Sequence, residues 1–89
     1  MIGPASVPEV GAEGEAVAFA GQVLHLHLPR AFAPGAPVRV RVDVAGEALG
    51  LEGKTIGSKR LDEGRFHVRV RLVNLRRAQR EALVRAAEG

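Results

Sequence analysis

The chain has no cysteine, no tryptophan and no tyrosine, and only three phenylalanines among its 89 residues. Without cysteine there is neither a disulfide framework nor a thiolate zinc site, so a secreted disulfide scaffold is excluded. Cofactor-free folding around a compact apolar core is the expectation. Phe19, Phe32 and Phe66 are too few, and not interleaved with basic residues, to build a base-stacking platform; no nucleic-acid partner is expected. No apolar run approaches the roughly 20 residues that span a bilayer. The opening "MIGPASVPEVGAEGEAVAFAG" lacks the basic and apolar regions of a signal peptide. The chain thus reads as a soluble, cytoplasmic protein with no membrane insertion. Only two serines occur, Ser6 and Ser58, neither with a local activating partner, and Asp43 and Glu52 lie among regular strand residues. No acid–base pair is placed in a cleft, so an enzyme is not expected. Asparagine and glutamine are scarce, which is compatible with a heat-adapted source.

Basic residues are also missing from one part of the chain. Residues 1–29 hold three acids and no Lys or Arg, whereas residues 30–89 hold all 13 basic residues with the other seven acids. Such asymmetry suits either an anionic partner or a surface that uses arginine for solubility.

The length predicts one domain with a thin stability margin. Residues 1–14, with two prolines and three glycines, read as a flexible leader with room for a short strand near Val7–Val10. From residue 15 to residue 89 the pattern is that of a single folded domain. "EAVAFA" is a short strand candidate ended by Gly21. "QVLHLHL" (22–28) alternates strictly, with Leu24, Leu26 and Leu28 on one side and Val23, His25 and His27 on the other. "PRAFAPGAP" is a loop. "VRVRVDV" (38–44) sets four valines inward and Arg39, Arg41 and Asp43 outward. "ALGLEGKTIGSKRL" and "RFHVRVRLV", joined by "DEG", form the clearest hairpin; glycines 50, 53 and 57 suggest bulges or bends. The period then changes. Asn74 reads as an N-cap and Gly89 as a stop for a helix over about 74–88, with Leu75, Ala78, Ala82, Leu83 and Ala86 on one stripe. The expected fold is mainly β: five to six antiparallel strands closed into a small barrel, then a C-terminal α-helix.

Two groups of side chains stand out. His25, His27 and His67 share outward phases and could meet if their strands are neighbours, since three histidines are a known zinc ligand set. Guanidinium neighbours and the lack of a nearby carboxylate argue against a metal there, and no metal site is expected. Together with Arg39, Arg41, Arg69 and Arg71 these histidines form a basic face if the strands pair. Arginine forks on such a face match phosphate oxygens.

Residues 21–88 resemble the body of a PilZ domain. The similarity rests on "GQVLHLHLP", on "PGAPVRVRV", and on "GRFHVRVRLVNL" followed by "QREAL". The resemblance implies a six-stranded antiparallel barrel with a C-terminal helix, in a bacterial family of which many members are receptors for cyclic di-GMP. Two family motifs carry that binding: RxxxR ahead of the barrel, and DxSxxG at the second strand. With Gly21 as the motif glycine, the Asp and Ser positions are Ala16 and Ala18, and residues 1–29 contain no arginine. Arg65–Arg69 and Arg76–Arg80 have the RxxxR spacing but fall in the last strand and the helix. Each lost charge-assisted contact is worth about 1.5–3 kcal/mol. The resemblance therefore implies a degenerate adaptor with weak or absent cyclic di-GMP binding, acting through a protein partner in pilus, motility or second-messenger signalling. The alternatives are a cyclic di-GMP receptor using the basic face, with Gly21, Arg39, Arg41, Arg69 and Arg71 as candidates, and a homo-oligomer built on the alanine stripe or an open barrel edge.

Overall fold

Period-two alternation becomes six antiparallel strands in the computed structural model, which describes residues 1–88. The strands are β1 (Gly3–Val7), β2 (Ala12–Ala20), β3 (Val23–Leu28), β4 (Pro37–Val44), β5 (Glu47–Asp62) and β6 (Arg65–Val73), followed by the helix α1 (Arg77–Glu88). They hydrogen-bond in the order β1-β2-β3-β6-β5-β4, and β1 pairs with β4 to close the barrel. The expected small antiparallel barrel with a C-terminal helix is what forms. Closure is short, with only Ala5 and Ser6 of β1 pairing with Val42 and Arg41 of β4, but it joins the two outer strands that an open sheet would leave as edges. No helix of the described residues is long and apolar enough to cross a membrane.

The interior is filled by one phase of each strand. Leu24, Leu26, Leu28, Val38, Val40, Val42, Val44, Leu49, Leu51, Val68, Val70 and Leu72 are all buried. The other phase of β4 and β6 is arginine-rich and exposed. A two-residue turn joins β4 to β5, with Ala45 and Gly46 both at positive φ (51° and 84°), as a tight hairpin requires.

Residues 1–14 are not a loose leader. Gly3–Val7 form β1, a single 3₁₀ turn spans Pro8–Val10, and β2 begins at Ala12. The inward positions of β1 are Gly3, Ala5 and Val7, with Ile2 buried beside them. Residues this small carry little apolar signal, yet they fit where β1 closes on β4. The short strand considered near Val7–Val10 is that 3₁₀ turn instead, with Pro8 at its start.

Strand β2 carries a bulge between Ala16 and Ala18, so Ala16 and Phe19 both point inward although three residues apart. Gly14 lets β2 cross β3 closely: a Cβ there would overlap the carbonyl oxygen of His27. The next residue, Glu15, consequently lies opposite His27.

The helix begins later than its pattern suggests. Asn74 has φ 53° and turns the chain out of β6, donating from Nδ2 to Glu52 Oε1 at 2.9 Å rather than capping. Arg76 is the cap residue, and its backbone N–H donates to Gln79 Oε1 at 3.1 Å, half of a capping box. Leu83 is fully buried, with Leu75, Ala82 and Ala86 packed beside it. Ala78 is exposed, and half-buried Gln79 takes its place on the stripe. Arg77 and Glu81, one helical turn apart, form an ion pair at 3.3 Å, with Arg77 almost fully exposed. Gly89, read as the stop, lies outside the described residues.

One interior group is mismatched. Thr55 is 3% exposed and its Oγ1 has no hydrogen-bond partner among the described residues. Thr55→Val removes the unpaired hydroxyl at nearly constant shape and is expected to stabilise the fold by about 1 kcal/mol. A shift of the denaturant midpoint to lower concentration would show the hydroxyl to be satisfied.

Candidate functional site

The seven outward residues expected on one basic face divide into two sites. Strand β5 lies between β4 and β6. Arg39 pairs in register with Glu52, which pairs with Val73, while Arg71 pairs with Lys54, which pairs with Pro37. Arg69 pairs with Gly57, which lies past the part of β5 that ends opposite Pro37, the first residue of β4. The β4 and β6 arginines are therefore separated by the width of β5 and offset along it. The single continuous face does not form.

On the β4 side the outward phase builds a cleft of about 540 Å³ between β4, β5, the 3₁₀ turn and the start of α1. Arg39 and Arg41 form one wall. Gly50 sits directly opposite Arg41 and contributes no side chain, which opens the floor. Asn74 and Arg76 arrive from the other side as the chain leaves β6, and Pro8 closes one end. Gln79 Nε2 donates to the Gly50 carbonyl oxygen at 3.2 Å and fixes the helix to β5. The cleft holds one carboxylate, Glu52, engaged by Asn74. Arg39, Arg41 and Arg76 make no salt bridge among the described residues. Three guanidinium groups around an open floor can take an anionic group by charge-assisted hydrogen bonds. Arg76, noted in the sequence only for its RxxxR spacing with Arg80, joins the site because the helix docking places it beside β4.

On the other side, β3 and β6 pair so that His27 faces His67 and His25 faces Arg69. All three histidines meet. His25 Nδ1 lies 2.8 Å from His67 Nε2, and His27 Nε2 lies 3.3 Å from His67 Nδ1. Glu15 Oε1 is 4.0 Å from His27 Nδ1 and accepts from Arg65 at 3.4 Å. The carboxylate missing from the sequence reading is thus supplied by β2. The pKa of His67 is lowered, first by its partial burial and then by His25, His27, Arg69 and Lys59.

Gly21 occupies the β2–β3 turn with φ 62° and does not line the cleft. Ala16 is fully buried inside the barrel, and Ala18 is an exposed methyl opposite His25. Neither offers a polar contact. Ser58 is a structural clamp: its hydroxyl accepts from the Phe32 N–H and donates to the Phe32 carbonyl, both at 2.9 Å, holding the 29–36 loop on β5.

Compared with protein-family models, with curated proteins and with solved structures, the chain matches none.

Proposed function

We propose that the chain is a PilZ-type binding module that docks an acidic surface of a protein partner in the β4–β5–α1 cleft, without holding cyclic di-GMP in the family's usual way. The observation that carries this reading is the set of three guanidinium groups, Arg39, Arg41 and Arg76, free of salt bridges among the described residues around an open cleft. A closed barrel with a C-terminal helix is what the PilZ resemblance implies, and it supports the adaptor reading. The buried methyl of Ala16 and the exposed methyl of Ala18 support loss of the nucleotide motif. In cells the adaptor would act in pilus, motility or second-messenger signalling, as the resemblance implies. No activated nucleophile accompanies the cleft, and binding rather than catalysis is the proposed role.

A second reading is favoured by the same arginines: cyclic di-GMP itself could use them, because its two phosphates match guanidinium forks. Isothermal titration with cyclic di-GMP at low and physiological salt separates the two. No heat at physiological salt is expected, with any low-salt signal disappearing as charges are screened. Saturable binding at physiological salt that is abolished by Arg39→Ala would replace the adaptor reading with the receptor reading.

A further inference from the structure

We propose that His27 and His67 form a two-imidazole site for a borderline divalent transition metal, Zn²⁺ or Cu²⁺, on the outer face of the barrel. This site is separate from the arginine cleft and does not depend on the adaptor reading.

Distance selects the pair. Zinc–nitrogen bonds of about 2.0–2.1 Å at a tetrahedral angle place two ligand nitrogens about 3.3–3.4 Å apart. His27 Nε2 and His67 Nδ1 are 3.3 Å apart, on directly opposed residues of β3 and β6. Both His–His contacts are hydrogen bonds in the metal-free protein, but the His25–His67 contact, at 2.8 Å, is too short for two ligands of one tetrahedral ion, whereas the His27–His67 contact has the length such an ion bridges.

The remaining ring nitrogens fit the orienting contacts that metal-bound imidazoles use. With the metal on His27 Nε2, its Nδ1–H faces Glu15 at 4.0 Å. With the metal on His67 Nδ1, its Nε2–H donates to His25 Nδ1. This set of tautomers serves Glu15 and His25 but not Arg65, whose Nη2 lies 3.5 Å from the same His27 Nδ1 and meets its N–H donor to donor, so the metal-bound form requires Arg65 to swing aside. No group of three or more His or acidic side chains converges on one point among the described residues. The protein therefore supplies two ligands, and water completes the shell.

Three cations oppose the dication. Arg65 shares Glu15, Arg69 pairs with His25, and Lys59 pairs with His67. All three are exposed, so solvent screens them. Arg39 and Arg41, which weighed against a metal in the sequence, lie on β4, beyond β5.

The test uses the full chain without a polyhistidine tag, stripped with chelator and titrated with Zn²⁺ alone. One saturable site is expected. His27→Gln and His67→Gln should each weaken it at least about 100-fold, whereas His25→Gln and Glu15→Gln, which remove orienting contacts, should weaken it about tenfold. Arg65→Ala, which releases Glu15, should tighten it severalfold. Far-UV circular dichroism checks that each variant is folded. Electron paramagnetic resonance of the Cu²⁺-loaded wild type needs no variant and should show two nitrogen donors per copper. No saturable binding up to about 1 mM Zn²⁺, binding unmoved by both ligand substitutions, or fewer than two nitrogens on copper would each overturn the assignment. A loss with His25→Gln as large as with His27→Gln would overturn the division between ligand and orienting ring.

Discussion

Leu83→Ala should cost about 2–5 kcal/mol of stability, the range for truncating a fully buried leucine. Leu83 is 0% exposed and is the one side chain of α1 that is fully buried. The helix has 12 residues, too short to persist in water without its packing. Its other core-facing residues within Arg77–Glu88 are Ala82 and Ala86, which bury little area. The polar ties are few: Gln79 to Gly50, and Arg80 to Gln22, with the Arg80 guanidinium 6.0 Å from the Phe19 ring centroid. Total stability for a domain of this size is of order 5–15 kcal/mol, so one substitution removes a large share. Equilibrium denaturation reads the loss, and hydrogen exchange should show the amides of α1 opening before those of the barrel. Val84→Ala, at a 40% exposed neighbouring position, should stay within about 0.5 kcal/mol of wild type. A cost below about 1 kcal/mol for Leu83→Ala would mean that the helix is not anchored through this side chain. Because Arg76 caps this helix and Gln79 lies in its first turn, the destabilised variant should also lose affinity at the cleft.

The sequence was most legible where strand phase and side-chain size agree. In β4 every inward residue is valine and, after Pro37, the outward ones are arginine or aspartate, so the strand reads directly from "VRVRVDV". The same holds for β3 and β6. Strand β1 was not legible because glycine and alanine take two of its three inward positions, leaving Val7 alone to mark the phase. In β2 the bulge at Val17 breaks the period that would have marked its full length. The helix stripe was right at Leu83, Ala82 and Ala86 but displaced at Ala78, because the i, i+3, i+4, i+7 face that contains those three residues runs back to Gln79.

Sites were less legible than strands, because a site needs register and strand order as well as phase. That His27 opposes His67, and that Glu15 joins them, follows only from the β2–β3–β6 pairing. The pairing of Arg41 with Gly50 could have been counted outward from the two-residue Ala45–Gly46 turn, had the turn been fixed first. Arg76 could not have been found this way, since its position depends on where α1 docks. Placing all outward basic residues on one face failed for the same reason: phase says outward, but outward on a closed barrel points in every direction.

Arg39→Ala, Arg41→Ala and Arg76→Ala, combined, should weaken binding to the acidic partner by at least about 1,000-fold. Each charge-assisted hydrogen bond contributes about 1.5–3 kcal/mol, and each 1.4 kcal/mol is tenfold in affinity. Three such contacts exceed that factor even at the low end of the range. The three side chains are exposed and make no salt bridge among the described residues. Alanine at these positions should therefore leave the fold within about 0.5 kcal/mol of wild type. The matching control is Arg69→Ala with Arg71→Ala, which removes equal charge per residue from the other side of β5. If net charge alone attracted the partner, the two sets would act in proportion to the number of arginines removed. If the cleft is the site, the β6 pair should change affinity less than about threefold. The measurement is comparative capture from the native host with wild type and both variants, followed by titration of each protein that only the cleft variant loses. Equal recovery and equal affinity with the cleft variant would remove the cleft as the docking site. Equal losses with both variants would reduce it to a nonspecific attraction, which should then fade as ionic strength rises.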